Sequence, residues 1–176
     1  MKAAYQGAPG AFGHLACLTF LPGCEPVALA TFGDVVATVE RGEAERGMLP
    51  IENNEAGPTG AQALIDASSL AVLSEHELPV RMHLLGLPGA SLDQIRTVVS
   101  HPIALRQCAR SLARLELAAE ATSNTAIAAR QLSNPARAVL ASEAAAEAYG
   151  LTFLIRDVHD RPDNATRFAV VARKEA

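Results

Sequence analysis

Short apolar runs of β type alternate with alanine-rich stretches of helical period along almost all of this 176-residue chain, and that alternation is what most limits its fold. Residues 3–6, 27–30, 47–51, 80–87, 97–99, 117–121 and 138–140 read as buried strands, with a last strand over 166–173. Residues 14–20, 34–41, 59–67, 103–115, 125–132 and 142–149 read as helices. So close an interleaving of the two element types, with little linker between them, predicts an α/β protein with parallel or mixed sheets.

Two breaks organise the alternation. Pro79 interrupts an extended stretch at 78–80, and a second composition break falls near Asp160 to Pro162, before the last strand. They predict two lobes, one of residues 1–78 plus 166–176 and the other of 79–165, with the final strand returning to the first lobe and a cleft between them. A hydrophobic fraction of 49 % with 4 % aromatics and no Trp gives enough Ala, Val and Leu to build such cores.

Charge and cysteine usage exclude several functions. Fifteen basic residues against nineteen acidic ones are scattered, without the basic stripe of a nucleic-acid binder. Cys17, Cys24 and Cys108 are odd in number and lack CxxC spacing, so neither a disulfide framework nor a zinc site is expected. His14, His76, His83 and His159 lack ligand spacing as well, and no metal is expected. No run approaches the roughly 20 apolar residues needed to span a bilayer, and no secretory segment opens the chain. The expectation is a soluble, cytoplasmic protein.

Polar residues gather in the turns that follow the strands, where open α/β sheets bind ligands beside helix N-termini. Gln6 to Gly13 lacks the GxGxxG order and reads equally as a tight turn. Ser100-His101-Pro102 and Thr122 to Thr125 read equally as helix caps. Glu52-Asn53-Asn54-Glu55, directly after an apolar run, is more pointed, with a solvated loop as its alternative. Thr166-Arg167-Phe168 opens the last strand, and polar groups set beside a core element call for a reason.

Taken in order, these segments resemble the prephenate dehydratases. The matching pieces are Tyr5-Gln6-Gly7 with Pro9-Gly10-Ala11, Pro50-Ile51-Glu52-Asn53 with Ala56-Gly57, and Ser100-His101 with Ala104-Leu105 and Gln107-Cys108. They continue with Thr125-Ala126, Ala128-Ala129, Tyr149-Gly150-Leu151, and Asn164 with Thr166-Arg167-Phe168. The pattern is departed from at Ala8, Asn54, Pro58-Thr59 and Asn124.

The resemblance implies two α/β lobes similar to type II periplasmic binding proteins, with the active site in the interlobe cleft and no cofactor. It implies conversion of prephenate to phenylpyruvate, a step of phenylalanine biosynthesis, with arogenate as an alternative substrate and a non-catalytic carboxylate-binding module as the alternative function. Thr166 is then the catalytic donor, and Phe168 packs near the ring pocket. Arg167 either pairs with a substrate carboxylate or holds Thr166 and its neighbouring acids in place. Gln6, Gly7, Asn53, Asn54, Gly57, Thr59, Ser100, His101, Asn124 and Thr125 are implied to bind substrate. Family members usually carry a C-terminal ACT-type regulatory domain, and this chain, running to Ala176, is expected to be the catalytic domain without it. A homodimer is left open as the assembly.

Overall fold

A computed structural model describes residues 1–123 and 125–174. In chain order the elements are β1 (Lys2–Gln6), α1 (Phe12–Phe20), β2 (Glu25–Leu29), α2 (Phe32–Glu40), β3 (Arg46–Asn53), β4 (Gly57–Pro58), α3 (Ala61–Asp66) and β5 (Leu70–Pro79). They continue with β6 (His83–Gly86), β7 (Thr97–Ser100), α4 (Pro102–Gln107), α5 (Ala109–Arg114), β8 (Ala118–Ala121), α6 (Thr125–Arg130), β9 (Arg137–Ala141), α7 (Glu143–Tyr149), β10 (Thr152–Ile155) and β11 (Ala165–Arg173). The α/β class holds, and the chain divides into two compact units. No described helix is long and apolar enough to cross a membrane.

The first unit comprises Met1–Ala8, Phe12–Val80 and the chain from Asn164 onward. Its sheet runs β2-β1-β3-β11-β5, with β4 paired to β3. β1 lies parallel to β2 and β3, while β11 runs antiparallel to both β3 and β5. Both faces are covered, so consecutive residues serve different cores. Ala3, Tyr5, Met48, Phe168 and Val170 pack on the side of Cys17 from α1. Ala4, Leu49, Ala169 and Val171 pack on the side of Val35 and Val39 from α2. Double burial is why β1, β3 and β11 show as continuous apolar runs.

β5 was not expected. It is the outer strand of its sheet, and its inner and outer positions mix polar with apolar residues. Its pairing with β11 slips between Val170 and Val171, where Leu73 is the extra residue, an irregularity that breaks up an otherwise open edge.

The second unit comprises Pro9–Ala11 and Arg81–Asp163. Its sheet runs β10-β6-β9-β7-β8, with β7 parallel to β8 and β9, and β6 antiparallel to β9 and β10. The strand expected over 80–87 contracts to β6, and β10 is an addition. The helix expected over 103–115 breaks at Cys108, whose φ of −118° and ψ of 11° leave the helical region. Pro9–Ala11 is fastened to α7 inside this unit. Ser142 Oγ donates to the Gly10 carbonyl at 2.6 Å and Tyr149 Oη to the Pro9 carbonyl at 2.6 Å. Gly10 has a φ of +86°, and a Cβ there would stand 2.6 Å from Ala145 Cα, so glycine is required on both counts.

Candidate functional site

In the first unit the ends of β3 and β11 meet in a cluster of side-chain amides and a hydroxyl. Asn53 is 8 % exposed, Asn164 2 % and Thr166 8 %. Asn53 Oδ1 accepts from the backbone N–H groups of Glu55 at 3.0 Å and Ala56 at 2.8 Å, which fixes which way its carboxamide faces. Its Nδ2 then donates towards Asn164 Oδ1 at 2.8 Å, the Ala165 carbonyl at 3.0 Å and Thr166 Oγ1 at 3.0 Å. Asn54 is tied in through its backbone N–H to the Ala165 carbonyl and through Oδ1, which accepts from the Ala165 N–H.

A β-bulge makes this cluster. Counted from Met48, plain alternation puts residues 48, 50 and 52 on one face of β3 and Asn53 on the other. The register slips between Arg167 and Phe168, so that Thr166 pairs with Asn53, Arg167 with Glu52, and Phe168 with Pro50, leaving Ile51 as the extra residue. Cross-strand partners share a face, so the slip moves Asn53 to the Thr166 side and Glu52 to the Arg167 side. Pro50, lacking an N–H, sits at this irregularity in an interior strand, where proline is tolerated.

The Thr166 hydroxyl accepts from Asn53 and, among the described residues, donates to none. With one lone pair held by an amide N–H, its own proton points away from Asn53 and is polarised as a donor. Phe168, 1 % exposed, packs among Tyr5, Met48 and Leu78 as part of the core beneath Thr166. Arg167 faces the opposite way. Its guanidinium bonds Glu52 at 2.7 Å and Glu75 at 2.9 Å, with 43 % of its side chain exposed. The hydrogen bond it donates to Glu52, reinforced by Glu75, raises the pKa of the guanidinium above its ordinary value.

The other expected residues of this unit lie at strand ends and beside them. Gln6 ends β1 and its Nε2 donates to the Ala30 carbonyl at 3.2 Å, while the Gly7 N–H donates to the Leu29 carbonyl at 2.9 Å. Gly57, with a φ of +84°, opens β4. The Thr59 hydroxyl bonds the Pro50 carbonyl and accepts from the Ala61 N–H at the start of α3.

In the second unit, Ser100 is fully buried and its Oγ donates to the Leu140 carbonyl at 2.9 Å. His101 is the N-cap of α4, Nδ1 accepting from the Ile103 N–H at 3.2 Å, with Pro102 in the first turn. Thr125 opens α6. Asn124 lies outside the described residues. Asn164 is a cluster member to which sequence reading gave no role, although its spacing of two from Thr166 at the head of a strand was a usable signal.

Comparison with known proteins covers the whole of this framework. The family model for prephenate dehydratase matches residues 3–176. The chain is 40 % identical over 179 residues to arogenate dehydratase/prephenate dehydratase 2, chloroplastic, of Arabidopsis thaliana, covering 99 % of this chain and 47 % of that protein. It is 37 % identical to a bifunctional N-acyl-homoserine lactone acylase/prephenate dehydratase of Komagataeibacter europaeus, covering 98 % of this chain and 63 % of that protein. This chain thus spans about half the length of the plant relatives it matches.

Among solved structures, prephenate dehydratase of Arthrobacter aurescens in complex with L-Phe aligns at TM-score 0.90 and 28 % identity, over 100 % of this chain and 61 % of that one. A protein described as a novel type of quorum-quenching acylase aligns at TM-score 0.93 and 36 % identity, over 100 % of this chain and 65 % of that one. A periplasmic substrate-binding protein of an ABC transporter from Coxiella burnetii aligns at TM-score 0.50 and 12 % identity, over 98 % of this chain and 84 % of that one, a likeness of fold alone.

Proposed function

The chain belongs to the prephenate dehydratase family, and from that premise we propose that it converts prephenate to phenylpyruvate with the Thr166 hydroxyl assisting the leaving group. The observation that carries the proposal is the Asn53 N–H held on Thr166 Oγ1 at 3.0 Å, which leaves the hydroxyl proton to be donated elsewhere.

Prephenate is a cyclohexadiene with a carboxylate on one ring carbon and a hydroxyl on the carbon opposite. The bond from the ring to the carboxylate breaks, carbon dioxide leaves, and the electron pair passes through the ring to aromatise it. The opposite carbon–oxygen bond breaks in the same flow, and the departing hydroxide takes up a proton from solvent to become water. Aromatisation supplies the driving force; the barrier lies in expelling hydroxide.

A donor aimed at that oxygen strengthens as charge develops on it, so it lowers the transition state more than the ground state. A Thr hydroxyl ionises far above neutral pH, so hydrogen-bond stabilisation rather than full proton transfer is the role assigned to Thr166. Arg167, turned to the opposite face from Thr166, bridges Glu52 and Glu75 across β3, β11 and β5 and takes no part in the chemistry. Phe168 packs beneath the hydroxyl as the floor of the site.

The substrate carries two carboxylates, and a net charge of −4 gives them no long-range attraction. We assign them to local donors of the first unit: Gln6, Gly7, Asn53, Asn54 and Gly57, and the turn before α3 at Thr59. Thr59 acts by holding the turn before α3 in place, since its own side chain is engaged with the backbone. Arogenate, the aminated analogue, is the second substrate reading, favoured by the plant relative named for both activities.

The test is turnover of prephenate and of arogenate by the purified chain beside Thr166→Ala, with an N-acyl-homoserine lactone as a third substrate. Turnover of prephenate or arogenate with a loss of about 10²-fold or more in the variant is the expected result. Equal rates in both proteins remove Thr166 from the mechanism, and binding without turnover makes the chain a carboxylate-binding module.

A further inference from the structure

Asn164 is 2 % exposed, yet its side-chain nitrogen has no hydrogen-bond partner among the described residues. A buried carboxamide nitrogen left unpaired is costly, and native structures rarely keep one without a use. Both of the residue's oxygens are engaged. Its carbonyl accepts from the Val80 N–H at 2.8 Å, and its Oδ1 accepts from Asn53 Nδ2 at 2.8 Å.

Rotating the carboxamide does not relieve the orphan. Two backbone N–H groups hold Asn53 Oδ1, so Asn53 must present its NH₂ to Asn164. A turned Asn164 would then set NH₂ against NH₂, which is repulsive. The orientation is therefore dictated from the backbone of the 53–56 turn outward, and the Asn164 NH₂ is kept in place with two hydrogens to give. Thr166 Oγ1 is bonded to the same Asn53 nitrogen, so two unspent donors flank one fixed amide.

We propose that Asn164 is a second donor to the leaving hydroxyl, its Nδ2–H joining the Thr166 O–H on the oxygen that departs. The inference rests on the dehydratase reading above. Two preorganised donors on one developing charge act on the transition state, so the residue contributes to kcat rather than to KM. Asn53 positions both donors without itself touching the substrate oxygen.

Asn164→Asp separates this role from a structural one. A carboxylate accepts from Asn53 as well as the amide oxygen does, but offers no donor; the protonated acid restores an O–H donor of the same shape. Burial raises the pKa of such a carboxyl while the Asn53 N–H lowers it, so the variant's own titration is followed by difference spectroscopy and turnover is compared on either side of its midpoint, between about pH 4 and pH 8. The measurement is kcat and KM of the full chain with prephenate across that range, with thermal melting at each pH.

The expected result is a kcat about 10²-fold below parent near pH 8 with KM within about threefold, the deficit closing as pH falls. A parent-like kcat near pH 8, a loss carried by KM alone, or a deficit that ignores pH overturns the proposal. Should Asn164→Asp melt below the assay temperature, Asn164→Ala is read in its place. A loss confined to kcat then supports the donor, and parent-like turnover overturns it. A parent that turns over neither prephenate nor arogenate overturns the functional reading and this inference together. An active parent with an unimpaired Asn164→Asp overturns this inference alone.

Discussion

The end of β3 and the end of β7 look alike as sequence, each an apolar run closing on polar residues, yet their side chains are bonded to different things. Ser100 and His101 spend the hydroxyl and the ring nitrogen on the backbone of β9 and α4. Asn53, Asn164 and Thr166 bond to one another and leave two donors unspent. A polar turn is needed to hold a helix start or to join strands; donors kept free inside a buried cluster serve something outside it. The difference lies in where the hydrogen bonds end, not in which residue types are present.

Asn53→Ala attacks the first region hardest. It strips Asn164 and the 55–56 N–H groups of their partners, and the loss is expected at about 3 kcal/mol of unfolding free energy in urea titrations, with kcat down about 10²-fold. Ser100→Ala sharpens the contrast, removing one buried donor at about 1 kcal/mol of stability while kcat/KM stays within about tenfold of parent. If Ser100→Ala proves as damaging to kcat as Asn53→Ala, the distinction between the two regions fails.

His83 gives a smaller, pH-dependent effect in the second unit. Burial lowers its pKa, against the opposing pull of Asp157 and Glu143, and its Nε2 has no hydrogen-bond partner among the described residues. With the folded value below the ordinary 6.5, the unfolded chain holds more protons between the two values. Stability therefore falls as pH drops through about 6.5 and stops falling below the folded value. Melting temperatures of the parent should show that slope, and His83→Gln should flatten it. Arg167→Gln is expected to do least: the pairs with Glu52 and Glu75 are exposed, so the loss is slight and disappears in high salt.

Strands buried on both faces were legible because their apolar runs are unbroken, as at 47–51 and 168–172. β5, half solvated, opens on the apolar residues Leu70 to Leu73 but continues through Ser74, Glu75, His76 and Glu77, and went unread. Nothing at Cys108 signals a break, since no Gly or Pro stands there; the helix divides where the distant Asp160 accepts from the N–H groups of Arg110 and Ser111 and donates its own N–H to the Gln107 carbonyl. Thr166 and Asn53 could both be picked out as polar residues at strand ends. That they face each other could not, because alternation from Met48 sends Asn53 to the wrong side and only the extra Ile51 brings it back. A one-residue slip inverts the facing of everything beyond it, and Pro50 is its sole trace in the sequence.

The central claim is that the Thr166 hydroxyl, held by Asn53, donates to the leaving group. Its most direct test is kcat with prephenate for Thr166→Val, which keeps the shape and loses the O–H, beside Thr166→Ser, which keeps the O–H. The account expects Val to fall about 10²-fold or more with KM little changed, and Ser to stay within about tenfold of parent. A Val variant that turns over like the parent, or a Ser variant as impaired as Val, would contradict it.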